Sequence, residues 1–359
     1  MNGWDWIHWL IFVVVILVFA LSMIIVFIWT ERKVIGRFQL RLGPNRVGPM
    51  GVLQAFADFI KVLTKEDIVP AKGDRWVHLL APIVAFVPAL LILAVVPFRD
   101  GSILADLNIG ILYIVAIGAL GVVGIFMAGW GSNNKYSLIS AMRTAAQVIS
   151  YEVPVVLSIV GVILITGSLS MVTIVHEQQV PFILLQPLGF LIFFLGTTAE
   201  INRSPFDLLE AESEIVAGFH IEYSGMKFAL FYLGEYAHAV AASAVITTLF
   251  LSGWKGPVLP PVLWFLIKVG FVFWLFLWMR STLPRLRVDQ LMGFAWKFLL
   301  PLALFNVFLT GAEVLLWEEE MASWGNFPWP FLFLNLGLAG GLIVLWSRFF
   351  RLGGGRVEV

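Results

Sequence analysis

Long apolar runs alternate with short polar stretches along the whole chain. The first run, 10–29, is about 20 residues, enough for a helix to cross a bilayer core. Similar runs recur at 76–98, 110–130, 153–170, 181–199, 228–251, 262–280, 297–317 and 327–347. The pattern predicts an all-α polytopic membrane protein with nine spanning helices, organised as a single membrane domain over 1–359. The fourth run lies near the ~17-residue lower limit for a span. Pro82 and Pro88 are expected to bend the second. The first run is followed by Glu31-Arg32-Lys33 rather than a small-residue cleavage site, so it reads as a span and not as a leader. No internal repeat is visible, which counts against a transporter built from inverted halves.

Polar spacing adds one surface helix. After Gly51, the residues Val52, Phe56, Phe59 and Leu63 share one helical face, and Gln54, Asp58, Lys61 and Lys65 share another. This predicts an amphipathic helix lying on the membrane or against a partner. Asp58 has two readings, a solvated pair with Lys61 or a functional carboxylate.

The bases set the orientation. Residues 1–9 carry none, whereas 31–75 carries Arg32, Lys33, Arg37, Arg41, Arg46, Lys61, Lys65, Lys72 and Arg75. By the positive-inside rule the N-terminus faces outward. The loops 30–75, 131–152, 200–227 and 281–296 and the C-terminal tail then face the cytoplasm. With Arg280 and Lys297 counted at the inner ends of their spans, only Arg99, Lys255 and Lys268 of the 23 Lys and Arg residues fall off the inner side. Topology setting and contact with lipid phosphates account for many of the first-loop bases without further function.

The acids carry more information. Residues 200–222 hold Glu200, Asp207, Glu210, Glu212, Glu214 and Glu222 against a single base, Arg203. Ser204-Pro205-Phe206-Asp207 has the composition of a capped helix start, which predicts a helix to about Gly218. Asp207, Glu210 and Glu214 would then share a face, with Glu212 turned away. The stretch reads either as a solvated acidic face or as a proton-exchanging cluster. Glu152 stands at the mouth of the fourth span, and Glu235 and His238 lie within the sixth. Ionisable groups at such depth mark ion or substrate paths. Lys268 and Glu313, nearer the outer side, read equally well as snorkelling residues. His220, beside Glu222, reads as a surface residue or as a group titrating near neutral pH. Arg280, Arg285 and Arg287 supply permanent, planar cations suited to pairing with these acids.

Composition agrees with the membrane assignment and narrows the chemistry. Hydrophobic residues make up 60% of the chain and charged ones 13%, with 15 Trp and 31 Phe. Trp4, Trp6 and Trp9 are placed at the outer interface, and Trp76 and Trp130 at the inner one. Net charge is +0, so nothing points to nucleic acid. With no Cys, the chain offers neither thiolate ligands for an iron–sulfur cluster nor a thiol nucleophile. Its five His are scattered, which gives no metal site.

Four stretches are long and irregular enough to be specific: Glu31–Pro49 (ERKVIGRFQLRLGPNRVGP), Ile149–Pro154 (ISYEVP), Glu200–Tyr236 and Arg280–Met292 (RSTLPRLRVDQLM). In order and spacing over about residues 10–317 they resemble the H-subunit family of the proton-pumping NADH–quinone oxidoreductase, respiratory complex I. Its mitochondrial relative is NADH dehydrogenase subunit 1. The resemblance implies a membrane subunit at the junction of the peripheral and membrane arms, with quinone as substrate. It implies no iron–sulfur cluster, flavin or metal on this chain. The implied partners are the subunit with the terminal iron–sulfur cluster, its neighbour at the quinone site, adjacent small membrane subunits and lipid. By motif match, Glu31, Arg32, Lys33, Arg41, Asp58, Phe206, Arg280, Arg285 and Arg287 fall on the quinone cavity. Glu152, Glu200, Asp207, Glu210, Glu212, Glu214 and Glu235 fall on the acidic path into the membrane. The family pattern typically has eight spans, so 327–347 is an addition, and it favours a bacterial plasma membrane. Ile201 stands where Thr is expected, and His220 where Asn is expected. A stand-alone ion transporter and a structural anchor for the peripheral arm are the alternatives.

Overall fold

Apolar helix length dictates the architecture. The computed structural model describes residues 5–209, 212–316, 332–338 and 340–341. Seven of its helices are long and apolar enough to cross a membrane. The first is α1 (Asp5–Phe38), and α2 (Gln54–Leu63) is the short amphipathic helix. Next come α3 (Arg75–Leu93), α4 (Gly110–Gly131), α5 (Lys135–Thr166) and the short α6 (Met171–Glu177). The single turn α7 (Phe182–Leu185) precedes α8 (Pro187–Glu200), and α9 (Glu212–Ile215) is another single turn. After these run α10 (Gly225–Phe250), α11 (Pro261–Thr282), α12 (Val288–Phe294) and α13 (Leu300–Leu316). A five-residue π-helical segment joins α12 to α13. Among the described residues the only strand-like pairing is one bridge between Arg99 and Ser102.

Three boundaries differ from expectation, each for a local reason. Helix α1 continues through Glu31, Arg32 and Lys33 instead of ending before them. The stretch 131–152 is not a loop. Asn134 accepts a hydrogen bond from the Tyr136 amide, and one helix then runs unbroken to Gly167 at φ +64°. Glu152 thus lies inside α5. The fifth expected span is interrupted at Gln186, between α7 and α8. Pro82 and Pro88 sit within a continuous α3. The ninth expected span falls only partly on described residues. There, Asn335 donates to the buried Glu313 at 2.8 Å, tying that segment to α13.

Small residues let the helices close. A side chain at Gly124 would stand 2.5 Å from the Ala85 backbone nitrogen, and one at Gly131 3.0 Å from that of His78. Such small-residue seams drive helix association where lipid is as apolar as the protein. At Gly121 the neighbour is instead the His238 ring. The outward faces stay apolar, as Leu10, Val14, Val18 and Leu21 of α1 show.

Lys268 does not snorkel. Its ammonium donates to the carbonyls of Leu251, Gly253 and Lys255 at 2.6, 3.0 and 2.7 Å, capping the chain end of α10. Glu313 is likewise buried and hydrogen-bonded rather than reaching for solvent.

Candidate functional site

The expected helix from Pro205 does not form, because its backbone is recruited elsewhere. The Gln147 side chain of α5 donates to the carbonyls of Ala199 and Phe206, both at 2.8 Å. Ser140 donates to Leu209 O, Ser137 to Phe219 O, and the Leu286 amide to Pro205 O. These bonds orient the carbonyls of Pro205, Phe206 and Leu209 toward α5 and the 281–287 segment rather than along a common helix axis. The segment is therefore a loop pinned on the polar stripe of α5, followed by the single turn α9. Asp207 and Glu214 do not share a helical face, and the side chains of Glu210 and Glu212 lie outside the described residues.

This path turns Arg203 inward. After α8 the chain reverses at Asn202 (φ +52°), and the Arg203 amide bonds to Thr198 O. Its guanidinium, 4% exposed, donates from Nη1 to both carboxylate oxygens of Glu31 at 2.9 Å. Its Nε lies 3.0 Å from Glu235 Oε1, and its carbon sits 4.6 Å from the centre of the Tyr236 ring. Arg280 of α11 also donates to Glu31. Two acids and two bases thus meet from α1, α10, α11 and the loop after α8. Burial works against the Arg203 charge, but Glu235 and Glu31 beside it hold its pKa well above the ordinary value.

Toward the loops, Arg32 donates to Asp58 of α2, and Gln54 donates to the same carboxylate at 2.9 Å. Asp58 is therefore the partner of Arg32 and not a solvated mate of Lys61. Burial pushes its carboxyl up, yet those hydrogen bonds outweigh it and hold the pKa below the usual 3.8. Lys33 donates to the Asn45 side chain at 3.3 Å, while Arg41 and Arg287 are exposed. Arg285 pairs with Asp207 at 2.9 Å, and Arg143 with Glu214 at 2.6 Å. Phe206 is buried between the rings of Tyr151 and Phe294.

Beyond Glu235, Glu152, Glu200 and His238 join it in lining one cavity of about 160 Å³, among walls of Ile, Val and Phe. Glu235 keeps 20% exposure because it faces this space. His220 also lines it, packed on Phe219 and Phe228. Burial pushes His220 down to about 4, so it is neither a surface residue nor one that titrates near neutral pH. Glu222 turns away and accepts from Asn134. Among the described residues no group of three or more acids and His is placed to hold a metal.

The motif match groups Glu31 and Arg280 with the quinone cavity and Glu235 with the acidic path; in the structure Glu31 and Glu235 meet at one guanidinium, and Arg280 joins through Glu31. The motif match leaves that guanidinium out. The available signal was that Arg203 is the one base among the six acids of 200–222.

The NADH dehydrogenase family model matches residues 10–311. The chain is 58% identical over 354 residues to the NADH-quinone oxidoreductase H-subunit of Dehalococcoides mccartyi strain CBDB1, covering 99% of each chain. It is 51% identical over 320 residues to the corresponding H-subunit of Brevibacillus brevis, covering 87% of this chain and 95% of that one. The Carboxydothermus hydrogenoformans H-subunit is 48% identical over 320 residues, covering 88% and 91%. The chain belongs to the NADH dehydrogenase family. Membership makes it a membrane subunit of respiratory complex I, an oxidoreductase assembly, with other subunits of that complex as partners. The sequence resemblance and the all-α polytopic fold agree with this.

Proposed function

We propose that this chain forms much of the tunnel through which quinone enters from the lipid, and that it couples quinone reduction to proton translocation. The observation that carries the reading is the bridge made by Arg203, which touches Glu31 on the loop side and Glu235 on the cavity side. Quinone enters tail first along the slot bounded by α1 and α10, with its head toward Arg32, Asp58, Glu31 and Arg280. Lys33, Arg41, Phe206, Arg285 and Arg287 brace that end. The terminal iron–sulfur cluster of a neighbouring subunit supplies two electrons, and two protons complete the quinol. Charge appearing at the head changes the balance around Glu31, and Arg203 is shared between that carboxylate and Glu235. A change on one side is therefore felt on the other in a medium of low effective dielectric. Coupled groups of this kind titrate as a set. Glu235, Glu200 and Glu152 carry the response into the cavity they line, and Asp207, Glu210, Glu212 and Glu214 complete the acidic path. The positive-inside pattern supports a bacterial plasma membrane location with the N-terminus outside and the C-terminus cytoplasmic.

The test is Arg203→Gln in the intact complex. NADH–quinone turnover and proton pumping should fall at least tenfold, while NADH oxidation by an artificial acceptor stays intact. Normal pumping in a fully assembled Arg203→Gln complex overturns the reading.

A further inference from the structure

A second polar cavity, of about 340 Å³, opens at the loop face beside the ends of α4 and α5. It is lined by Lys72, Ser132, Asn134 and Glu222, among others. Next to two of its lining residues, Ser132 and Glu222, His78 of α3 stacks on Tyr223, with ring centres 3.9 Å apart and planes at 1°. His78 is fully buried, and among the described residues neither of its ring nitrogens has a hydrogen-bond partner. The Tyr223 hydroxyl is also buried without one. The nearest polar groups are Ser132 beside the hydroxyl and the Glu222 backbone beside the imidazole, both from residues that line this cavity. Lys227 and Asp67, paired at 3.0 Å, are the charged groups facing the ring from the other side.

A Phe at 78 would make the same stack without burying two polar nitrogens, of which at most one meets the Glu222 backbone; a buried one left unsatisfied costs about 1–3 kcal/mol. A buried polar group left in that condition calls for a use. The other side of the stack gives one. Tyr223 lies 4.9 Å from the Phe231 ring, which packs at 4.8 Å on Phe219. Phe231 and Phe219 both form the wall of the cavity that holds Glu152, Glu200, Glu235 and His238. One layer of rings therefore separates the stack from the buried acids.

We propose that His78 and Tyr223 form a proton inlet from the loop-side cavity to the glutamate cavity, with Phe219 and Phe231 as its dry gate. In each passage the imidazole binds a proton at one nitrogen and releases the proton held by the other, and a flip of the ring then restores the starting tautomer for the next proton. Water in the loop-side cavity is the donor and water in the glutamate cavity the acceptor. The inference rests on the proposed role of that cavity in proton movement.

The test uses the intact complex reconstituted in vesicles. His78→Phe keeps the ring stack and removes both nitrogens. It should slow quinone-coupled turnover about fivefold or more and raise its solvent deuterium isotope effect, with artificial-acceptor activity unchanged. Tyr223→Phe, a milder change to the same stack, should move both readouts in the same direction and serves if the first variant assembles poorly. Wild-type turnover, pumping and isotope effect in either assembled variant overturn the inlet. Arg203→Gln separates the two ideas: if it abolishes pumping while His78→Phe is normal, the bridge stands and the inlet falls.

Discussion

Arg203 reaches back across 172 residues to grip both carboxylate oxygens of Glu31 at 2.9 Å, with both side chains almost wholly buried. Both contacts come from the single nitrogen Nη1, a bifurcated, charge-assisted bond that fixes position as well as charge. It locks the loop after α8 onto α1, and so defines where the loop-side residues stand relative to Glu235.

Removing one partner of a buried pair leaves the other uncompensated, a loss of about 3–5 kcal/mol. Glu31→Gln should therefore lower both the melting temperature of the detergent-solubilised complex and its quinone reductase rate. Thermal unfolding monitored alongside activity checks this. An unchanged melting temperature would mean that Arg203 and Arg280 are neutralised by other groups.

The Arg32–Asp58 pair is more than a third exposed on both sides, so its worth is at most about 1 kcal/mol. Its folded-state pKa is depressed below 3.8. The contribution is thus present above the unfolded value and lost as pH falls through the folded one. Asp58→Asn should differ slightly from wild type in melting temperature at pH 7, and the difference should vanish in strong acid.

His220 behaves in the opposite chemical sense with the same sign. Its pKa falls from 6.5 to about 4 on burial, so between those values only the unfolded chain binds the proton. Stability is complete above about 6.5 and declines as pH drops, by up to about 3 kcal/mol near pH 4. His220→Asn should flatten this acid limb in melts between pH 7 and 4.5. A limb equally steep in the variant assigns the loss to other groups.

Lys268 caps three carbonyls at the outer end of α10. Lys268→Met leaves them unsatisfied, at about 1–3 kcal/mol for each buried group. The melting temperature should drop by several degrees, with turnover per assembled complex unchanged, because the cap closes the C-terminal end of α10, whereas Glu235 and the Arg203 contacts lie in its N-terminal half.

Much of this was legible in the chain. Apolar run length gave the all-α membrane class and seven of the nine expected spans as long apolar helices, and the alternation around Phe56 and Asp58 gave α2. The positions of Glu31, Glu235 and Arg280 followed from motifs. Two things were not legible. Ser204-Pro205-Phe206-Asp207 carries a strong local helix signal, but Gln147 and Ser140, more than 50 residues away, take the carbonyls first. Local propensity loses to tertiary hydrogen bonds that no window of sequence contains. Arg203 was hidden for a different reason. A lone base among acids looks like local neutralisation, and only the fold shows its partners to be on α1 and α10.

The four charges around Arg203 reside on segments made at very different times. Glu31 enters the membrane on the first helix, and its base is synthesised 172 residues later. At about 5–20 residues per second, that interval is on the order of ten to thirty seconds. Arg280, its second base, is 249 residues away and arrives later still. Until those segments are made, Glu31 lacks both guanidiniums that neutralise it in the folded chain. The charge cluster closes only once α11 is in place, which makes its assembly a late checkpoint on the integrity of the whole chain.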